Sequence, residues 1–357
     1  MNFRTKFFTG VAILLFSVLF SNTFAQLTLP KVSPHQTVSH TIGLSTIMVD
    51  YHSPGVKDRK VFGGIVAYGL NAGVPFGSGN SFPWRAGANE NTVITFSDDV
   101  KVNGKSLRAG SYGFHLIPGE KEFVAIFSTN NTSWGSFFYD ESEDALRVTL
   151  KPEKAPKQEW LAYGFDKFTP NSAELYLVWE ELKLPLTIEV NTTEIVLKSL
   201  RNELRSTNGF GWQGLNQAAA WCATNNVNQE EALTWVENSI QRNSNFTNLA
   251  TKAQLLGQLG RQKEADEIMK SAVEVANEGQ LNTYGYQLLG AGRVDDAVKI
   301  FELNIKRNPE SWNAYDSLAE GLQTKGETKA AKKNYEKALK MAPENQKARI
   351  QGVLNAL

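Results

Sequence analysis

The sequence predicts a multidomain chain: an N-terminal all-β antiparallel sandwich, then a C-terminal all-α solenoid of helical repeats. Three observations carry that reading. Ten of the 12 prolines fall between Pro30 and Pro185, where short β-type runs alternate with turn residues. From Thr192 onward the apolar period changes from two to about 3.6. Alanines 232, 265, 297 and 331 then recur at spacings of 33, 32 and 34 residues. A chain of 357 residues also suits two or three domains, at roughly 100–200 residues each. The expected segments are a leader (1–25), the sandwich (26–190), a connecting helix and linker (191–211) and the repeats (212–357).

The first residues have the parts of a signal peptide. Arg4 and Lys6 supply positive charge, and residues 11–20 (VAILLFSVLF) form an apolar run. A membrane-spanning helix needs about 20 such residues. Thr23 and Ala25 are small residues placed for a cut before Gln26. A membrane anchor is the alternative, because Phe3, Phe7 and Phe8 extend the apolar stretch. The new N-terminus would carry no cysteine, so the lipoprotein pattern is absent. The mature chain is expected to be exported, to the periplasm, with no membrane span.

In the β segment, strands are expected at 45–51 (STIMVDY), 92–96 (TVITF), 123–127 (FVAIF), 147–150 (RVTL), 174–179 (ELYLVW) and 186–190 (LTIEV). Asn103 and Gly104 join DVKV to KSLRAG, a pair suited to a two-residue type I′ hairpin turn. Pro118 to Lys121 turns GFHLI back into EFVAIF. Adjacent strands with no helical pattern between them argue for a sandwich or barrel.

Composition excludes several functions. Lys+Arg and Asp+Glu both total 37, a balance unlike the basic surface of a nucleic-acid binder. One cysteine excludes an intramolecular disulfide framework and any multi-cysteine metal cluster. That residue, Cys222, sits in AAAWCATNN, an apolar helical context in which it acts as a small hydrophobe. No cofactor is expected.

The helical segment begins with Ile195, Leu197, Leu200 and Leu204 on one helix face, with Thr192 or Thr193 as N-cap. The strings GRQKEADEIM, GRVDDAVKIF and GETKAAKKNY then repeat a glycine followed five residues later by an alanine. NNVNQEEALTW is a weaker earlier copy. The last unit resembles a full tetratricopeptide repeat. Tyr315, Leu318, Ala319 and Leu322 match its first helix, Ala331, Tyr335 and Ala338 its second, and Pro343 its end. The preceding unit carries Leu281, Tyr284, Gly285, Leu288, Ala297, Phe301 and Pro309 in the same places, with Asn304 where alanine is usual.

The resemblance implies a protein or peptide partner held in a groove lined by first helices. The candidate groove residues here are Asn282, Tyr286, Asn313, Asp316 and Glu320. None is basic, which argues against clamping a terminal carboxylate. The alternative is that the array serves packing or dimer contacts. Lys329, Lys332, Lys333, Lys337 and Lys340 read as a solvated helix face.

Three stretches of the β segment are dense in turn residues and reactive groups: SPGVKDRKVFGG (53–64), FPWRAGANENT (82–92) and AGSYGFHLIPG (109–119). Arg59 and Arg85 offer forked donors, Trp84 an aromatic face, and Asn89 and Glu90 an amide and an acid. That set suits a polar ligand with an apolar side, such as a sugar. The structural alternative is loops tied together by an arginine–glutamate pair, with Trp84 capping the core. These stretches resemble the signature blocks of the bacterial domain-of-unknown-function 2911 family over residues 31–190. The resemblance implies the domain boundary and export, and supplies no substrate.

His35, His40, His52 and His115 all lie in this segment, but without compact metal-ligand spacing. His52 and His115 are weak metal candidates, with Asp50 or Glu90 as possible partners. No catalytic residue is identified, and PFGSGN lacks the ending of a phosphate loop. The favoured function is a non-catalytic binding and scaffolding protein. The alternative is a metal- or carboxylate-dependent hydrolase acting on cell-envelope glycan or peptide.

Overall fold

A computed structural model describes residues 29–357. The leader expected at 1–25 lies outside the described residues. The chain divides between Val190 and Asn191 into two compact units.

The first unit is built of antiparallel strands in two sheets. One has the order β1 (His35–Ile42), β2 (Ser45–His52), β3 (Thr92–Phe96), β6 (Gly110–Ile117), β7 (Phe123–Ser128), β8 (Asp144–Leu150). The other has the order β5 (Lys105–Leu107), β4 (Val100–Val102), β10 (Ser172–Val190), β9 (Glu153–Asp166). Alternation sets the buried face: Ile47, Val49 and Tyr51 of β2 and Ile94 and Phe96 of β3 are buried. The sheets meet through aromatic contacts, with the Tyr51 ring 4.8 Å from that of Tyr163 on β9. The expected type I′ turn forms between β4 and β5, with Asn103 and Gly104 both at positive φ.

Three corrections follow from local physics. The runs at 174–179 and 186–190 are one strand, β10, whose pairing with β9 shifts register at Glu180, a residue with φ of 57°. Strands β1 and β9 do not announce themselves in sequence. Both are polar edge strands, and Pro156 in β9 is tolerated because an edge strand need not donate on its open side. The cap of the first helix is Asn191, not Thr192 or Thr193, its side chain accepting from the Glu194 N–H.

The second unit contains ten helices. After α1 (Thr192–Glu203), four hairpins follow: α2 (Trp212–Asn225) with α3 (Gln229–Arg242), then α4 (Phe246–Gln258) with α5 (Gln262–Val275). Next come α6 (Glu278–Gly290) with α7 (Val294–Arg307), then α8 (Trp312–Lys325) with α9 (Thr328–Met341), and α10 (Glu344–Ala356) closes the unit. The repeated glycines have one reason for being there. Gly260, Gly292 and Gly326 adopt φ of 75°, 72° and 87°, and the next N–H bonds back to Leu256, Leu288 and Leu322. That geometry ends a helix with a left-handed residue, which only glycine adopts without strain. Asn226, at φ of 53°, does the same in the first hairpin. The four recurrent alanines are all buried, as close helix approach requires. The hairpins bury their apolar faces in successive cores, one around Ala232, Trp235 and Leu255 and another around Phe301.

Candidate functional site

The β unit contains a cleft of about 310 Å³, whose lining includes Ser33, Gly55, Arg59, Trp84, Gly87 and Trp179. That volume is at the small end of ligand sites. Trp84 is fixed to the sheet by a paired bridge to Leu116, at 2.8 Å in both directions. Its ring stacks on Trp179 of β10, centroids 5.9 Å apart and tilted 21°. Its indole N–H donates to Gly87 O at 3.2 Å. Gly87 has no room for a side chain, since a Cβ would approach Thr92 Oγ1 to 2.7 Å. Arg59 spends Nε and Nη2 on Val56 O and Gly55 O, at 3.0 and 2.7 Å. Nη1 of this exposed side chain has no partner among the described residues.

Asn89 and Glu90 stand beside this cleft. Asn89, at φ of 57°, donates to Ser33 O at 3.4 Å. Glu90 accepts from Lys31 at 2.5 Å, and its other oxygen lies 3.3 Å from His52 Nδ1. The Lys31 ammonium, through that hydrogen bond, holds the Glu90 carboxyl below its usual range. Burial lowers the His52 pKa, against the opposing pull of Glu90. The His35 ring lies 5.2 Å from His52 and bonds Asp50 at 2.8 Å.

Arg85 turns away from the cleft. Its guanidinium bonds Asn89 O and lies 5.1 Å from the Trp134 ring and 4.8 Å from the Phe137 ring. Arg85 and Glu90 therefore do not form the loop-tying pair of the structural alternative, while Trp84 does pack on a core tryptophan. Behind Arg85, His115 is buried, bonds Ser136 Oγ at 2.9 Å, and has its pKa pushed down to about 4 by burial and then by Arg85. His40 stacks on Phe168 at 4.5 Å. The weak metal candidates His52 and His115 thus sit in different clusters. Among the described residues no three histidine, cysteine, aspartate or glutamate side chains converge as metal ligands. Three contributors escaped sequence reasoning: Lys31, Trp179 and Trp134. Trp179 was legible only as a strand residue, and the aromatic density of NNTSWGSFF was the available signal for Trp134.

In the helical unit the candidate groove residues are partly engaged. Tyr286 donates to Glu320 at 2.7 Å, and Asp316 is buried against Arg349 of α10 at 2.6 Å. Asn282 keeps its Oδ1 buried without a partner among the described residues. A larger cleft, about 530 Å³, opens elsewhere, among Met269 and Val273 of α5, Tyr284 and Leu288 of α6 and Ile300 of α7. It was not expected from sequence, because its walls come from residues that pattern as ordinary repeat core. Cys222 is fully buried in α2, and burial pushes its thiol up to about 11, so it packs as a hydrophobe. No helix among the described residues is long and apolar enough to cross a membrane.

Residues 33–188 match a family described as a protein of unknown function, DUF2911. Residues 247–278 and 313–345 match the tetratricopeptide repeat. No curated protein matches the chain. Among solved structures, the crystal structure of MamA protein is 16% identical, covering 43% of this chain and 82% of that one, with a TM-score of 0.30. PilF of Pseudomonas aeruginosa is 19% identical over 41% of this chain and 66% of its own, TM-score 0.29. YrrB, described as a TPR protein with an unusual peptide-binding site, is 17% identical over 46% and 90%, TM-score 0.29. The chain therefore carries a DUF2911 domain at residues 33–188, followed by tetratricopeptide repeats that include residues 247–278 and 313–345.

Proposed function

We propose that this chain is an exported binding and scaffolding protein. Its β domain recognises a small polar ligand bearing an apolar face, and its helical repeats dock a protein. The observation that carries the ligand reading is the cleft in which the stacked Trp84–Trp179 pair meets Arg59. An indole face packs against the C–H surface of a sugar ring, while the Arg59 Nη1, unpartnered among the described residues, donates to its hydroxyl or acidic groups. Asn89 and Glu90 brace the rim, Asn89 through Ser33 O and Glu90 through Lys31.

The repeats are protein-interaction modules by family. The groove reading places an extended peptide along Asn282, Tyr286, Asn313, Asp316 and Glu320. It is supported by the half-buried Asn282 and Asn313, whose side-chain amides are of the type that pairs with a peptide backbone. The hydrolase alternative has no comparable support, since Asp50 is bonded to His35 and Thr37 and Glu90 to Lys31. Titrating the mature protein with soluble cell-wall oligosaccharides tests the ligand reading. Saturable binding weakened about tenfold, roughly 1.4 kcal/mol, in Arg59→Ala is expected. Equal affinity in the variant would place the ligand elsewhere.

A further inference from the structure

Arg85 is a partly buried cation with no acid to answer it. Among the described residues no carboxylate stands within ion-pair distance of its guanidinium. Its hydrogen bond goes to a carbonyl, Asn89 O, and its other close contacts are the faces of Trp134 and Phe137. Glu90, the acid whose charge reaches it, is already bonded to Lys31. Burial lowers the Arg85 pKa, the sign of a charge short of solvation. A cation held in this way gains when an oxyanion joins it, because the desolvation cost has already been met by the fold.

The surrounding loop is shaped around this group. Gly135 has φ of 68°, and a Cβ there would overlap the guanidinium, so the backbone closes over Arg85 where no side chain fits. Trp134, stacked on Phe137 at 5.8 Å, remains 56% exposed, which keeps this aromatic wall reachable from solvent. His115, bonded to Ser136 of the same loop, is uncharged at neutral pH and adds no competing positive charge.

We propose that the Arg85 guanidinium, walled by Trp134 and Phe137, is a binding site for an oxyanion, the carboxylate or phosphate group of a small ligand. The planar fork matches two oxygens of such a group, and the indole beside it reports occupancy. Arg85 does not line the Trp84–Trp179 cleft. This site therefore stands or falls independently of the ligand reading made for that cleft.

The test titrates the mature full chain with sodium acetate and, separately, sodium phosphate against sodium chloride of equal ionic strength, following tryptophan fluorescence. Low millimolar concentrations stay below the range of general salt effects. Saturable change with acetate marks a carboxylate site, and with phosphate alone a phosphate site. Arg85→Lys keeps the charge and removes the fork, and should weaken binding at least about fivefold. Trp134→Leu should abolish the signal while a thermal-shift readout of binding persists. No saturable response beyond chloride would overturn the proposal. So would a response unchanged in Arg85→Lys, which would place the anion at another group.

Discussion

His115 carries a charge consequence that belongs to one residue. Its pKa is about 4 in the fold and about 6.5 in an unfolded chain. Between those values the unfolded chain binds a proton that the folded chain refuses, so stability falls as pH drops from about 6.5 to about 4. The full extent is about 3 kcal/mol for this group. His52, also lowered by burial, acts with the same sign. Urea unfolding at a series of pH values should show this slope, and His115→Gln should flatten part of it. An unchanged slope would show that the imidazole titrates freely. Gly135→Ala is the second residue-scale expectation. Positive φ and the guanidinium overlap both oppose the methyl group, and a loss of about 1–3 kcal/mol should appear in the same assay.

At the scale of elements, two rules conflict at Gly285 in α6. Helix propensity alone predicts that alanine stabilises the helix by about 1 kcal/mol. A Cβ there would overlap the Phe301 ring of α7, however, and that ring is fully buried. Overpacking wins, so Gly285→Ala should lower the midpoint of thermal unfolding, by about 1–3 kcal/mol in stability. A raised midpoint would mean the hairpin can widen. This hairpin was legible in sequence because glycine, alanine and Phe301 occupy fixed repeat offsets. The interior strands β2, β3 and β7 were legible for a similar reason, alternating apolar residues between turn signals. Edge strands β1 and β9 carry no such pattern, since their outward sides face water and their pairing is decided by distant partners. The site was half legible for the same reason. Arg59 and Trp84 could be named from turn density, but Trp179 comes from a strand far along the chain. Nor could sequence show that neighbours Trp84 and Arg85 would face different surroundings.

For the whole molecule, the proposal joins a ligand-recognising domain and a protein-docking array in one exported chain. Export has its own expected outcome: cell fractionation should recover a periplasmic protein whose first residue is Gln26. A cytoplasmic chain that retains Met1 would remove the exported part of the proposal. The central claim is that Trp84, backed by the buried Trp179 on which it stacks, forms the ligand face of the β domain. Both indole N–H groups are fixed by carbonyl acceptors, Gly87 O and Glu159 O, so each gives a defined NMR resonance. Spectra of the mature chain, assigned through single Trp→Phe variants, should be recorded with increasing soluble cell-wall oligosaccharide. The account predicts that the Trp84 and Trp179 resonances move together and saturate, while that of Trp221 in α2 stays in place. Movement of other indoles alone, or a Trp84 shift unaffected by Arg59→Ala, would contradict it.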